Sequence, residues 1–220
     1  MPKARLISIN VGQLREVEYR DRTVLTAIFK APVSGRVAVR KLNLAGDRQA
    51  DLTVHGGPDK AVYCYPVEHF SYWTTELPGT ELPYGMFGEN LTTEGLDEAS
   101  VHIGDQFRIG SAVLQVSQPR TPCYKLGIKF GRSDMVQKFW SSGRSGFYFS
   151  VIAEGEVGSG DVIERLVAGP RQVSIAEVLQ LAGGVEPDRT QLERVLQSPL
   201  PDPWKNNFIA RFTDAQRQVR

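Results

Sequence analysis

Apolar residues in the first ~165 positions recur mainly at every second place, the period of a strand with one face buried. The clearest case is "DQFRIGSAVLQVS". Phe107 and Ile109 alternate ahead of Gly110-Ser111, and Leu114 and Val116 alternate behind it. Gly-Ser suits a two-residue II′ turn, so a hairpin is predicted. "TVLTAIFKAPV" and "GRVAVRKL" are rich in β-branched residues, the latter alternating at Val37 and Val39. "GEVGSGDVIERL" repeats the hairpin layout around Gly158 and Gly160. Many short strands joined by glycine turns predict a closed or nearly closed β-barrel. Two helices interrupt it. "PVEHFSYWTTEL" starts at a proline and carries Phe70 and Trp73 three apart; "SDMVQKFWSSG" has a serine cap and places Val136, Phe139 and Trp140 on one face.

From about residue 170 the period lengthens. "SIAEVLQLAGG" opens on the capping box Ser174-x-x-Glu177 and closes on Gly183-Gly184. "DRTQLERVLQS" is capped by Asp188, and "DPWKNNFIARF" has Asp202 at the cap and Pro203 at the first helical position. Three short helices are expected, with Leu179, Leu192, Leu196, Trp204, Phe208 and Phe212 as a shared apolar face. None is long enough to stand alone in water. The reading is a β-barrel domain over residues 1–167 and a three-helix C-terminal domain over 168–220.

Composition narrows the partners. The chain has 220 residues and a net charge of +1, which argues against a general nucleic-acid binder. The opening "MPKARLISINVG" reads as a first strand, because its apolar stretch is broken by Ser8 and Asn10 and no small-residue cleavage site follows. No window approaches the ~20 apolar residues of a membrane span. Two cysteines, Cys64 and Cys123, make no disulfide framework. A cytoplasmic protein with reduced thiols is expected.

Three stretches carry candidate chemistry. "RKLNLAGDRQADLTVHGGPDKAVYCYP" crowds Arg40, Lys41, Arg48, His55 and Lys60 around glycines that include Gly56 and Gly57. Glycines let a ligand approach the backbone, and successive N–H groups form anion nests; a solvated strand edge with turn glycines is the other reading. "LPYGMFGENL" sets Met86 and Phe87 between Gly85 and Gly88, ahead of Glu89 and Asn90. It is also readable as a tight turn with Phe87 in the core. In "QPRTPCYKLG", Pro119 and Pro122 stiffen the chain and Cys123 follows where a short turn or helix can start. Arg120 and Lys125 favour a thiolate, a nucleophile and soft metal ligand. Cys123 packed as a small hydrophobe stays open beside this, and it is the preferred reading for Cys64 in apolar "AVYCYP". His55, His69 and His102 have no zinc-ligand spacing, and no GxGxxG joins a strand to a helix. A Cys123–His55 hydrolase pair is also compatible with the residues.

Taken in order, residues 41–70, "YGMFGENLTTEGLDE" (84–98), "VHIGDQFRIGSAVLQVSQPRTPCYKL" (101–126) and the helical tail resemble the MOSC family, closest to its bacterial YiiM-like branch. Each motif is weak alone, and their combination is specific. The resemblance implies a MOSC-type β-barrel followed by a three-helix appendage. It implies the molybdenum cofactor, with Cys123 as metal ligand, and no role for pyridoxal phosphate. Lys41, Arg48, His55, Gly56, Gly57, Lys60, Asn90 and Arg120 become candidates for holding or orienting the pterin and its phosphate. The implied reaction reduces N-hydroxylated compounds, hydroxylaminopurines included, to amines, with electrons from a partner protein. A homodimer is compatible with it. Two other classes are weighed against the enzyme: a sulfur-carrier or cofactor-binding module using a Cys123 persulfide, and a DNA or protein adaptor built on the tail, where Lys205, Arg211, Arg217 and Arg220 lie.

Overall fold

The computed structural model describes residues 3–50 and 56–217. Its strands, in chain order, are β1 (Arg5–Val11), β2 (Arg15–Tyr19), β3 (Arg22–Thr26), β4 (Ala31–Pro32), β5 (Arg36–Val39), β6 (Val62–Pro66), β7 (Leu91–Glu94), β8 (Gln106–Ile109), β9 (Ala112–Pro119), β10 (Phe147–Ala153), β11 (Gly155–Gly158) and β12 (Ile163–Val167). The α-helices are α1 (His69–Glu76), α2 (Tyr124–Phe130), α3 (Met135–Ser141), α4 (Ile175–Gly183), α5 (Arg189–Leu196) and α6 (Asp202–Arg217).

The expected closed barrel is not found. Eight strands form one mixed sheet in the order β12-β8-β9-β10-β6-β7-β1-β4, while β5–β11 and β2–β3 are separate two-stranded ladders. The ends of the large sheet approach without a continuous ladder. Arg5 makes a single bridge to Val162, with Leu6 N donating to Asp161 O (2.9 Å) and Ile163 N to Ala4 O (2.8 Å). The reason lies in β1. Its outer edge is divided, the N-terminal half facing the turn before β12 and Asn10 and Val11 pairing with β4.

The hairpin β8–β9 forms as its alternation predicts, with Phe107 opposite Leu114 and Gly110 at φ 57. The second predicted hairpin does not. After β11, which pairs with β5, the chain crosses to pair β12 with β8. The Asp161 carboxylate fixes this crossing by accepting from Gly158 N (2.8 Å) and both Arg36 Nη atoms (3.2 Å each).

Strand β6 is buried on both faces, which is why "VYCYP" shows no alternation. Val62 and Cys64 face one core, shared with Phe147, Phe149 and Leu91. Tyr63 and Tyr65 face a second core with Trp73, Phe87, Leu126 and Phe139, lying under α1–α3. In α3 the buried pair is Met135 and Phe139, one position from the face read in sequence, so Trp140 remains 37% exposed. Its serine cap is absent too: Asp134 holds the cap position without a side-chain bond.

Three helices follow β12. Ser174 accepts from Glu177 N (3.1 Å) and Asp188 from Gln191 N (2.7 Å) at the predicted caps, and Gly184 at φ 104 closes α4. The Glu177 carboxylate does not complete a capping box, because it is paired with Arg194. Val178, Leu181, Val195, Phe208 and Phe212 enter the sheet's own core, with Leu179, Leu192, Leu196 and Trp204 packed against it. Among the described residues, these helices share the sheet's core. Among the described residues, no helix is long and apolar enough to cross a membrane.

Candidate functional site

The site forms where β9 runs out. Pro119 is its last residue, paired with Phe147, and Arg120 N donates to Gly146 O (3.3 Å) just beyond. Gly146 is obligatory here: at φ 61, a Cβ would lie 2.3 Å from Cys64 O. Pro122 carries the chain outward, and Cys123 (φ −125, ψ 169) is the extended residue from which α2 starts. Its thiol is half-buried.

Arg120 is the central group. Only 5% of it is exposed, and its guanidinium carbon lies 4.8 Å from the Tyr63 ring centre and 5.1 Å from that of Phe139. Its Nη1 donates a long bond to the Tyr63 hydroxyl (3.5 Å). Among the described residues, no carboxylate forms an ion pair with it. Burial opposes the charge, yet the neighbouring acidic groups of Tyr63, Tyr148 and Cys123 outweigh burial and raise its pKa. A buried cation whose partners are phenols and a thiol is a site that calls for an anion.

A narrow cleft of about 90 Å³ runs beside it, lined also by Arg48, Lys60, Asn90, Lys125, Tyr148 and Cys123. Burial lowers the Lys60 pKa, with Asp59 pulling the other way. Lys30, also in the lining, is paired with the buried Asp47. The Asp47 carboxylate in addition accepts from Gly12 N (2.8 Å) and Asn90 Nδ2 (2.9 Å). Asn90 Oδ1 accepts from Tyr63 N (3.1 Å), so both ends of this amide hold the cleft floor together.

The "FGEN" turn is what aims Asn90. The Glu89 carboxylate is wholly buried and accepts from Phe87 N (3.0 Å), Gly85 N and Thr92 Oγ1 (3.1 Å). Burial raises its pKa. Lys129 of α2 clamps the same turn, donating to the carbonyls of Ile28 (3.1 Å), Lys30 (3.4 Å) and Gly85. Phe87 lies in the core, stacked on Tyr65 at 4.4 Å. The alternative reading of this motif, a tight turn with a core phenylalanine, thus describes its geometry.

The structure brings Arg48, Lys60, Asn90, Arg120 and Cys123 around one cleft. Lys41 lies elsewhere: its Nζ donates to Val151 O (2.7 Å) and its N to Glu154 Oε1 (2.8 Å). Gly56 and Gly57 precede the 3₁₀ turn Pro58–Lys60 and do not line the cleft, although Gly57 O accepts from Lys60 N (3.1 Å). His55 lies outside the described residues. So do the side chains of Arg217 and Arg220. Sequence reasoning missed Tyr63, Tyr148, Lys30 and Asp47. The signal for Tyr148 is its place in "FYFSV", whose alternation puts Phe147 and Phe149 in the core and Tyr148 on the opposite face.

A second, wider cavity of about 400 Å³ adjoins the first. The two share Lys60, Thr121, Cys123 and Tyr148. The wider one is otherwise walled by Gln118, Trp140 and, from the tail, Ala182, Trp204 and Asn207.

A cationic cleft beside a sheet-end thiol, on this fold, defines the class: the chain belongs to the MOSC-domain family, whose family model matches residues 51–164. Within it the similarity is to YiiM proteins. The chain is 45% identical to Protein YiiM of Escherichia coli over 202 residues, covering 88% of this chain and 90% of that one. The crystal structure of YiiM from Geobacillus stearothermophilus superposes with a TM-score of 0.79 at 35% identity, covering 94% of this chain and 98% of that one. The chain is also 29% identical over 215 residues to a protein named Reductase from Gibberella moniliformis, matching 96% of this chain and 38% of that longer one.

MOSC is a molybdenum-cofactor-associated family, and the residues present fit such a group. Arg120, which has no carboxylate partner among the described residues, suits an anionic arm together with Arg48 and Lys60, and Cys123 is a soft ligand beside them. Among the described residues, no three His, Cys, Asp or Glu side chains cluster as a metal site.

Proposed function

We propose that the protein is a molybdenum-cofactor-dependent reductase of N-hydroxylated compounds. The observation that carries this is the buried Arg120, without a carboxylate partner among the described residues and set beside Cys123, where a narrow cationic cleft meets a wider cavity. Kinship to a protein named Reductase and to YiiM supports it.

In this reading Arg120, Arg48 and Lys60 hold the cofactor's anionic part, and the Cys123 thiolate is the protein's ligand to its metal. When bound, the cofactor supplies the two-electron redox chemistry. The chain's own residues bind and orient. Asn90, locked by Tyr63 N and Asp47, keeps the floor rigid. Tyr148 borders both cavities, and burial raises its pKa so that the hydroxyl stays protonated and able to donate. Overall, R–NH–OH takes two electrons and two protons, its N–O bond breaks, and R–NH₂ and water leave. The electrons come from a reduced donor protein. The site of action is the cytoplasm, where both thiols stay reduced.

The test is elemental analysis of protein made in a host that synthesises the cofactor, followed by assay with a hydroxylaminopurine and a reduced donor. Bound molybdenum and amine formation are expected. Molybdenum without turnover would favour the carrier reading, and no molybdenum at all would sink the assignment.

A further inference from the structure

We propose that helix α6 forms the substrate wall of the wider cavity, with Trp204 and Asn207 selecting a flat aromatic ring. This rests on the reductase reading. A helix that served the fold alone would be complete with Phe208 and Phe212, one turn apart and buried against the sheet. Trp204 lies one turn earlier, packs only partly against the same core, and is held by a hydrogen bond besides. Its Nε1 donates to Gln118 Oε1 (2.6 Å), while Gln118 Nε2 donates to Asp59 O (3.2 Å). Gln118 sits on β9 opposite Tyr148, two residues before Arg120. The indole is thereby registered to the same strand end that carries Arg120 and Cys123, and its polar edge is already satisfied. What it offers the cavity is a rigid apolar surface, and rigid indoles stack on planar rings.

The rest of the wall agrees. Trp140 lines the same cavity and is 37% exposed, whereas Met135 and Phe139 of its helix are buried. Two of the chain's three tryptophans thus border one space, and Trp73 is fully buried in the second core. Asn207 adds an amide able to donate and accept, which suits the nitrogen-rich edge of a heteroaromatic ring. At about 400 Å³ the cavity is in the range of small-molecule sites, which run from roughly 300 to 1,000 Å³. It shares Cys123 with the cationic cleft, so a ring held there keeps its substituent at the reacting end.

The experiment compares full-length wild type with Asn207→Trp, which fills the cavity from an exposed helix position, and with Trp204→Ala and Trp204→Phe. Asn206→Ala, off the cavity, is the control. Two readouts are taken: the ratio of kcat/KM for a hydroxylaminopurine over N-methylhydroxylamine, and quenching of tryptophan emission by adenine. Asn207→Trp and Trp204→Ala should each lower the ratio about tenfold, the size of effect expected from losing one ring stack, and Trp204→Phe should keep most of it. Adenine quenching should be lost with Asn207→Trp and kept with Asn206→Ala. Quenching that behaves in this way supports the inference even in protein that reduces nothing, a result that would sink only the reductase reading. The inference is overturned if Asn207→Trp and Trp204→Ala both leave the ratio and the quenching within twofold of wild type. It is equally overturned if Asn207→Trp lowers molybdenum content at an unchanged ratio, for then the cavity holds the cofactor's ring instead.

Discussion

Cys64 and Cys123 are separated by one strand, and their surroundings differ in kind. Phe147 of β10 pairs with Cys64 on one side and with Pro119, four residues before Cys123, on the other. Cys64 is fully buried and hydrogen-bonded to Thr93 Oγ1 (3.2 Å); burial pushes its thiol far above the ordinary range. Cys123 is half-buried on a cationic cleft. The difference comes from where each lies relative to the end of its strand. Mid-strand, β6 is covered by cores on both faces. Beyond Pro119 the β9 ladder ends, Pro122 has no N–H with which to extend it, and polar side chains gather. On this fold the thiol left partly accessible is the one beyond a strand end.

Serine replacements give the largest test of that contrast. Cys123→Ser should abolish reductase activity and molybdenum retention, while Cys64→Ser should keep both at a stability cost of about 1–2 kcal/mol for a hydroxyl in a core position that already has Thr93 as partner. Assays at matched cofactor loading decide it, and equal activity in wild type and Cys123→Ser would break the assignment. Thiol labelling sharpens the comparison without any activity: at neutral pH Cys123 should react at least about tenfold faster than Cys64, which is reached only by opening the core. Comparable rates would mean that Cys123 is not accessible.

Arg120 extends the comparison from thiols to charge. Arg120→Met should weaken phosphate or sulfate binding strongly, most of all at low salt. Stability in urea should change by less than about 2 kcal/mol in either direction, because the cost of burying the charge is offset by its contacts with Tyr63 and Phe139. A marked loss of stability would make Arg120 a structural residue. The smallest effect concerns Lys129, whose pKa burial lowers to about 8 from 10.5, with Glu89 pulling upward. Between these values the unfolded chain binds more protons than the folded one, so this group makes stability rise with pH from about 8 to 10.5. Lys129→Met should flatten that part of a stability–pH profile measured by chemical denaturation; an unaltered slope would contradict the burial argument.

Local signals were legible in the sequence and distant ones were not. The β8–β9 hairpin and the caps at Ser174 and Asp188 involve residues at most a few positions apart. The partner of β11 is β5, more than a hundred residues back, and nothing near "GEVGSG" encodes it. The same limit applies to the site. Arg120 and Cys123 share one stiff loop and were found together. Lys41 and Lys60 look alike as cations among glycines, but only the fold shows that one reaches Val151 O and the other lines the cleft. Tyr63 was hidden because β6 is apolar throughout, so alternation could not say which face each residue takes. Asn90 was singled out for its motif, and the structure gives it a role that no motif states, bridging Tyr63 N and Asp47.

That bridge bears on the order in which the molecule assembles. Asn90 Nδ2 reaches Asn10 O across 80 residues of chain and Asp47 across 43, and Trp204 reaches Gln118 across 86. Each closure gives up chain entropy before its contacts form, so such pairings are slow relative to the β8–β9 turn. These separations predict that the cleft floor and the adjoining cavity wall are completed late in folding. Any ligand for the cleft meets a chain already committed to its fold, and it protects that fold by mass action rather than by guiding the chain toward it.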